Sequence, residues 1–188
     1  MRKIRDPALL DCLQGLTLIT FSGKIWRMAR AGRDPLVATS PKGRWDDGSF
    51  EVIYTALSAD AARAEVHFHL TRGQPVFPSQ LKIHLHEIEV EARRVYAFQS
   101  VDELVPFGVE ASQFGGLDYS RLKAEYSVTQ QIGEAAHFLG CDALIVPSAR
   151  WPDQNLVVIP ARPRTSELKH IEDHGPQDLK AWGRLNGR

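Results

Sequence analysis

Between Gly43 and Glu65 the chain passes from a basic, aromatic loop (Gly43-Arg44-Trp45-Asp46) into a short apolar run (Val52-Ile53-Tyr54-Thr55-Ala56). It then enters an alanine-rich segment, Ala61-Ala62-Arg63-Ala64-Glu65. Ser58 or Asp60 is placed to cap a helix from Ala59 to Thr71, with Gly73 as its stop. The other strand candidates are equally short: Lys24–Met28, Val95–Phe98, Ala143–Val146 and Leu156–Ile159. Leu81–Val90 alternates but slips phase near His86-Glu87, which predicts a bulge or bend. Leu9, Leu10, Leu13 and Leu16 predict an amphipathic first helix. Thr129 is expected to cap a second internal helix that ends at Leu139-Gly140, with Ala135, Ala136 and Leu139 inward. Asp102–Ser127 reads as mostly loop with a helical turn, and Glu167–His174 as a surface helix. Strands and helices mix without a regular βαβ alternation. The expected fold is therefore α+β: one domain over 1–188, a mixed or antiparallel sheet core over about 23–160, and a polar tail over 161–188.

Charge narrows function. Lys+Arg and Asp+Glu both number 23, so no basic field marks a generic nucleic-acid binder, and any basic role must come from local arginines. Cys12 and Cys141 form no CxxC pair, as expected of reduced thiols in a cytoplasm. Ala8–Phe21 is interrupted by Asp11, Gln14, Thr17 and Thr20, and no A-x-A site follows it. A cytoplasmic protein without a membrane partner is expected. GxGxxG, P-loop, HExxH and GxSxG patterns are absent from the sequence.

Several residues carry two readings. Arg27, on the strand face opposite Trp26 and Met28, either pairs with an acid or lines a cleft. Arg44 either caps a surface turn over Trp45 or reaches a phosphate from a glycine-flexible loop. Glu65, among alanines and next to Val66 and Phe68, is expected to be partly buried and to need a partner. Its partner is Arg27, Arg44 or Arg63, or else it stabilises positive charge on a sugar carbon. Tyr54 is core or a stacking ring, and Ser148 is a turn former or a ligand hydrogen bond. His67 and His69 cannot share a helix face. His84 and His86 can share a strand face, as a solvated pair or as metal ligands, but no further ligand follows at recognisable spacing, so no metal is expected.

Read in order, these fragments resemble the RES-domain family, toxins of bacterial RES–Xre toxin–antitoxin pairs. The matching text is Ile25-Trp26-Arg27, Gly43-Arg44-Trp45, Val52-Ile53-Tyr54-Thr55-Ala56 and Ala62-Arg63-Ala64-Glu65-Val66. It continues through Tyr126-Ser127-Val128-Thr129-Gln130, the stretch from Gly140 to Arg150, and Asn155-Leu156-Val157-Val158. Lys42 and Asp46 stand where the family often has Gly and Asn. The resemblance implies a fold related to ADP-ribosyltransferases, and NAD as a consumed substrate rather than a redox carrier. It places Arg27, Glu65 and Ser148 at the catalytic positions. Arg27, Arg44, Trp45, Tyr54, Gln130, Ser148 and Asn155 would bind NAD. It implies an Xre-type helix-turn-helix antitoxin as partner, with no direct nucleic-acid contact. ADP-ribose would pass to a protein target, to water or to phosphate, and the sequence does not choose among them. The competing class is a non-catalytic nucleotide-binding or interaction module on the same fold. A nuclease toxin is disfavoured by the neutral charge and the lack of an acidic metal cluster.

Overall fold

Residues 5–72, 81–116, 119–160 and 166–187 are described by a computed structural model, 119–126 by their backbone alone. Gly73 and the start of the tail lie outside the described residues. The elements are α1 (Pro7–Gln14), β1 (Ile19–Arg30), β2 (Ile53–Ala56), α2 (Ala59–Thr71), β3 (Ile83–Ala97), α3 (Tyr119–Phe138), β4 (Ala143–Pro147), β5 (Gln154–Val158), β6 (Glu167–Pro176) and α4 (Leu179–Leu185). Two short 3-10 turns, Asp102–Phe107 and Ala111–Gln113, precede α3.

The strands form one mixed sheet in the order β1-β2-β5-β4-β3-β6. β1 also pairs with β3, from Ile19↔Val95 to Arg30↔Ile83. Five strands therefore close into a ring, and β6 lies outside it against β3. The β1–β2 joint of that ring is one residue pair, Trp26↔Ala56. Side-chain alternation fills both sides. Ala143, Ile145, Leu156 and Val158 meet Ile25, Ile53, Ile88 and Val90 in a cluster drawn from all five ring strands. Leu144, Val146 and Val157 point the other way, onto Ile132, Ala135 and Ala136 of α3. Burial on both faces is why β4 reads as an unbroken apolar run.

α2 has its expected bounds, and Ser58 Oγ accepts the Ala61 N–H at 3.2 Å. The slip in β3 is present: Leu85 and Ile88 are both buried, and the β3–β6 register shifts between them. Other expectations fail. Glu167–His174 is strand, not helix, because β6 takes its form from pairing with β3 rather than from its own mostly exposed side chains. Thr129 is not the N-cap of the helix; it is fully buried within α3, whose start at Tyr119 also removes much of the expected loop. Val95–Phe98 is no separate strand, since β3 runs on to Ala97. The tail also packs: α4 lies against α2, and Trp182 Nε1 donates to Asp60 at 2.9 Å. Both cysteines are free, and burial pushes the Cys141 thiol up to about 11. Among the described residues, no helix is long and apolar enough to cross a membrane.

Histidines fasten β6 to β3. His84 Nδ1 lies 2.8 Å from Asp173, His86 Nδ1 lies 3.1 Å from His170 Nε2, and His174 Nε2 lies 3.4 Å from Glu87. Burial lowers the pKa of His86, opposed by Asp173 and assisted by His170, His84 and Arg27. The folded state thus favours neutral His86. That stability is complete above the ordinary value of 6.5 and is lost as pH falls through the lowered folded value. The thermal midpoint should drop between about pH 8 and about pH 5, and His86→Phe should flatten that drop. An equal drop in the variant would remove His86 as its cause.

Candidate functional site

A cleft of about 520 Å³ lies between β1, β2, α2, the loop around Gly43 and the β4–β5 connection. Ligand sites typically measure about 300–1,000 Å³. Its lining is electrostatically one-sided. Arg27, Lys42, Arg44, Arg72 and Arg150 line it, and among the described residues Glu65 is its one acid.

Glu65 projects from the middle of α2. The expected arginine partner is replaced by neutral donors. Ser148 Oγ donates to Glu65 Oε1 at 2.8 Å, and Asn155 Nδ2 donates to the same oxygen at 2.9 Å. Ser148 Oγ accepts in turn from the N–H groups of Arg150 (3.1 Å) and Trp151 (3.2 Å), which fixes the hydroxyl's direction. Both bonds converge on Oε1, and no hydrogen bond to Oε2 was found among the described residues. Oδ1 of Asn155 is buried without a partner among the described residues. Arg63 is occupied elsewhere, with Asp60 and Gln177.

Of its two readings Arg27 takes the second. It lines the cleft beside Trp26 and Met28, and its guanidinium donates to the carbonyls of Pro35 and Val37 rather than to an acid. Burial lowers its pKa and Asp34 opposes the shift. Arg44 stands 4.7 Å from the Phe114 ring centre. His69 also lines the cleft; desolvation, with Arg150, Arg72 and Arg44 nearby, lowers its pKa against the pull of Glu65.

The loop that carries Arg44 is organised by a carboxylate. Asp46 is fully buried and accepts from the N–H groups of Lys42, Gly43 and Gly48 and from Tyr54 Oη. These bonds hold Lys42 at a φ of 58°. The Tyr54 hydroxyl also accepts the Trp45 N–H at 2.9 Å, so its ring lines the cleft while its tip ties the loop. Gly43 is required here, since a Cβ would lie 2.6 Å from that hydroxyl. Gln130 Nε2 donates to the Gly43 carbonyl at 2.7 Å and holds the loop from behind. The Trp45 indole is 2% exposed and packs into the main core, as the surface-turn reading expected. Asp46→Ala would strand several donors, each costing about 1–3 kcal/mol. We expect a loss of roughly 3 kcal/mol in urea unfolding.

The sequence reading thus brought Arg27, Arg44, Tyr54, Glu65 and Asn155 to one cleft, with Ser148 attached through Glu65. Trp45 also lines the cleft although nearly all of it is buried, whereas Gln130 stands behind the lining and reaches it only through the Gly43 carbonyl. The sequence reading missed Lys42, His69, Arg72 and Arg150 as lining residues. His69 and Arg72 follow Glu65 at helical spacing and were legible in principle. The rings of His84 and His86 do share a face, 6.2 Å apart. The only trio of metal-ligating side chains found among the described residues is a different one, Glu87, Glu172 and His174, with Lys24 Nζ already 2.6 Å from Glu87.

No curated protein sequence matches the chain. Among solved structures, a chain of the M. tuberculosis MbcT–MbcA toxin–antitoxin complex matches 97% of this chain and 99% of its own. Its TM-score is 0.76 and its identity 23%, so the likeness speaks for the fold. An anti-CRISPR protein matches 82% of this chain and 98% of its own at 12% identity, with a TM-score of 0.38, too low to bear on the fold. The RES domain family model matches residues 24–180, a span that contains every residue lining the cleft. On that match the chain belongs to the RES-domain family.

Proposed function

We propose that the chain is the toxin of a bacterial toxin–antitoxin pair, and that its cleft binds NAD and cleaves the nicotinamide–ribose bond. The observation that carries this reading is the setting of Glu65: one oxygen is fixed by Ser148 and Asn155, and the residue lines a cleft whose other charged side chains are basic. The basic lining suits a pyrophosphate, which Arg27 and Arg44 would grip through charge-assisted bonds. Breaking the bond develops oxocarbenium character at the ribose carbon. Glu65 Oε2 would stabilise that charge and accept a ribose hydroxyl. Nicotinamide leaves as a neutral ring, so no strong general acid is needed.

ADP-ribose then passes to a protein side chain, to water or to phosphate. Arrest of growth follows from target modification or from loss of cytoplasmic NAD. The MbcT–MbcA structure is a toxin–antitoxin complex; by analogy a small antitoxin, of the helix-turn-helix Xre type, would hold this chain in check. The test is nicotinamide release from NAD by the purified full chain, with and without phosphate, and with labelled NAD in a cell lysate. Release is expected, and the label's destination names the acceptor. A folded protein that releases nothing and labels nothing refutes the reading.

A further inference from the structure

Phe114 and Gly115 are not among the residues that line the cleft, yet two of its arginines, from different elements, contact them. Arg44, on the loop before β2, holds its guanidinium 4.7 Å from the Phe114 ring centre. Arg150, on the β4–β5 connection, donates to the Gly115 carbonyl and stands 3.5 Å over the ring of Phe68 on α2. Gly115 has a φ of 77°, and a Cβ there would meet the Ala149 Cβ and carbonyl oxygen at 3.1 Å. The segment therefore rests directly on the connection that carries Ser148. Phe114 is itself anchored, half-buried against the main core.

We propose that Phe114-Gly115 is a brace that positions Arg44 and Arg150 for the phosphate groups of a dinucleotide, with Phe114 acting on substrate binding rather than on bond cleavage. The proposal rests on the NAD reading above. An aromatic face engages the face of a guanidinium rather than its edge, so the stacking contact orders the group without itself using an in-plane N–H donor. A stacked arginine is thus already ordered when the ligand arrives. An unstacked one must be immobilised at the moment of binding, which weakens affinity.

Phe114→Leu keeps apolar volume and removes the aromatic face; Phe114→Tyr keeps the face; Phe114→Met replaces the leucine variant if that one does not fold. Two affinities are measured by calorimetry on the full chain: NAD with Glu65→Gln protein, and inorganic pyrophosphate with Glu65 intact. Phe114→Leu should weaken both by roughly fivefold and raise KM for NAD by about the same factor, with kcat within about twofold. Phe114→Tyr should restore both, and thermal midpoints serve as the control for folding. Unchanged affinities, or a lower kcat at constant KM, would overturn the brace. Phe114-dependent pyrophosphate binding without nicotinamide release would leave the brace standing and remove the cleavage reading. No binding of either probe by the folded chain would remove both.

Discussion

Glu65→Gln should lower nicotinamide release by roughly a thousandfold while the protein keeps its fold and its affinity for NAD. The substitution conserves shape. The amide oxygen of glutamine can still accept from Ser148 Oγ and Asn155 Nδ2, so the hydrogen bonds that seat the side chain survive. What is lost is the negative charge beside the developing oxocarbenium carbon, in a cleft where no other carboxylate was found among the described residues. Ser148→Ala and Asn155→Ala act one step removed. Each leaves one donor in place, and each should cost roughly tenfold through a less well-oriented Glu65. Single-turnover nicotinamide release, with thermal midpoints recorded alongside, separates the three. A folded Glu65→Gln protein that keeps a tenth of its activity would show that the carboxylate is not the stabilising charge.

Gly133→Ala is expected to be the most damaging single added methyl among the described glycines. Gly133 lies on α3 where the helix crosses the loop, and a Cβ there would come within 1.9 Å of the Trp45 carbonyl oxygen. Backbone sits on both sides of that contact, so neither partner can swing away. Relief requires α3 to lift off the core, or the loop to move with Gly43, Arg44 and Trp45. The expected cost is at least about 3 kcal/mol, the upper end of ordinary overpacking. For a chain of this size that corresponds to a fall of roughly 6–12 °C in thermal midpoint. Arg44 moves with the loop, so NAD affinity should fall in whatever fraction remains folded. A variant with an unchanged midpoint would mean that α3 and the loop are looser than their packing indicates.

The limits of the sequence reading follow from where the information lies. α2 was legible to its last described residue because Ser58 and the helical run are local signals. β4 and β5 were legible because burial on both faces makes short apolar runs conspicuous. β6 was not, because its residues are mostly polar and exposed and only pairing with β3 makes them a strand. The start of α3 was missed although Arg121-Leu122-Lys123-Ala124-Glu125 is a run of good helix formers; the apolar residues that fix the helix on the core lie further along, at Ile132, Ala135 and Ala136. Glu65 was recognisable as a carboxylate out of place. Asp46 was not, because an aspartate beside Asp47-Gly48 looks like any turn residue until the donors of Lys42, Gly43, Gly48 and Tyr54 are seen to converge on it.

The ring of strands has one thin joint, the lone pair Trp26↔Ala56 between β1 and β2. Arg27 stands next to it on one strand, and Tyr54 stands two residues from it on the other, both lining the cleft. A molecule held by both would act as a second rung across the seam, a non-covalent suture supplied from solution. Stabilisation of that kind grows with the logarithm of ligand concentration. An enzyme that consumes its own suture would become easier to unfold, and to degrade, as its substrate ran down. Its working lifetime would then be set in part by the pool it depletes.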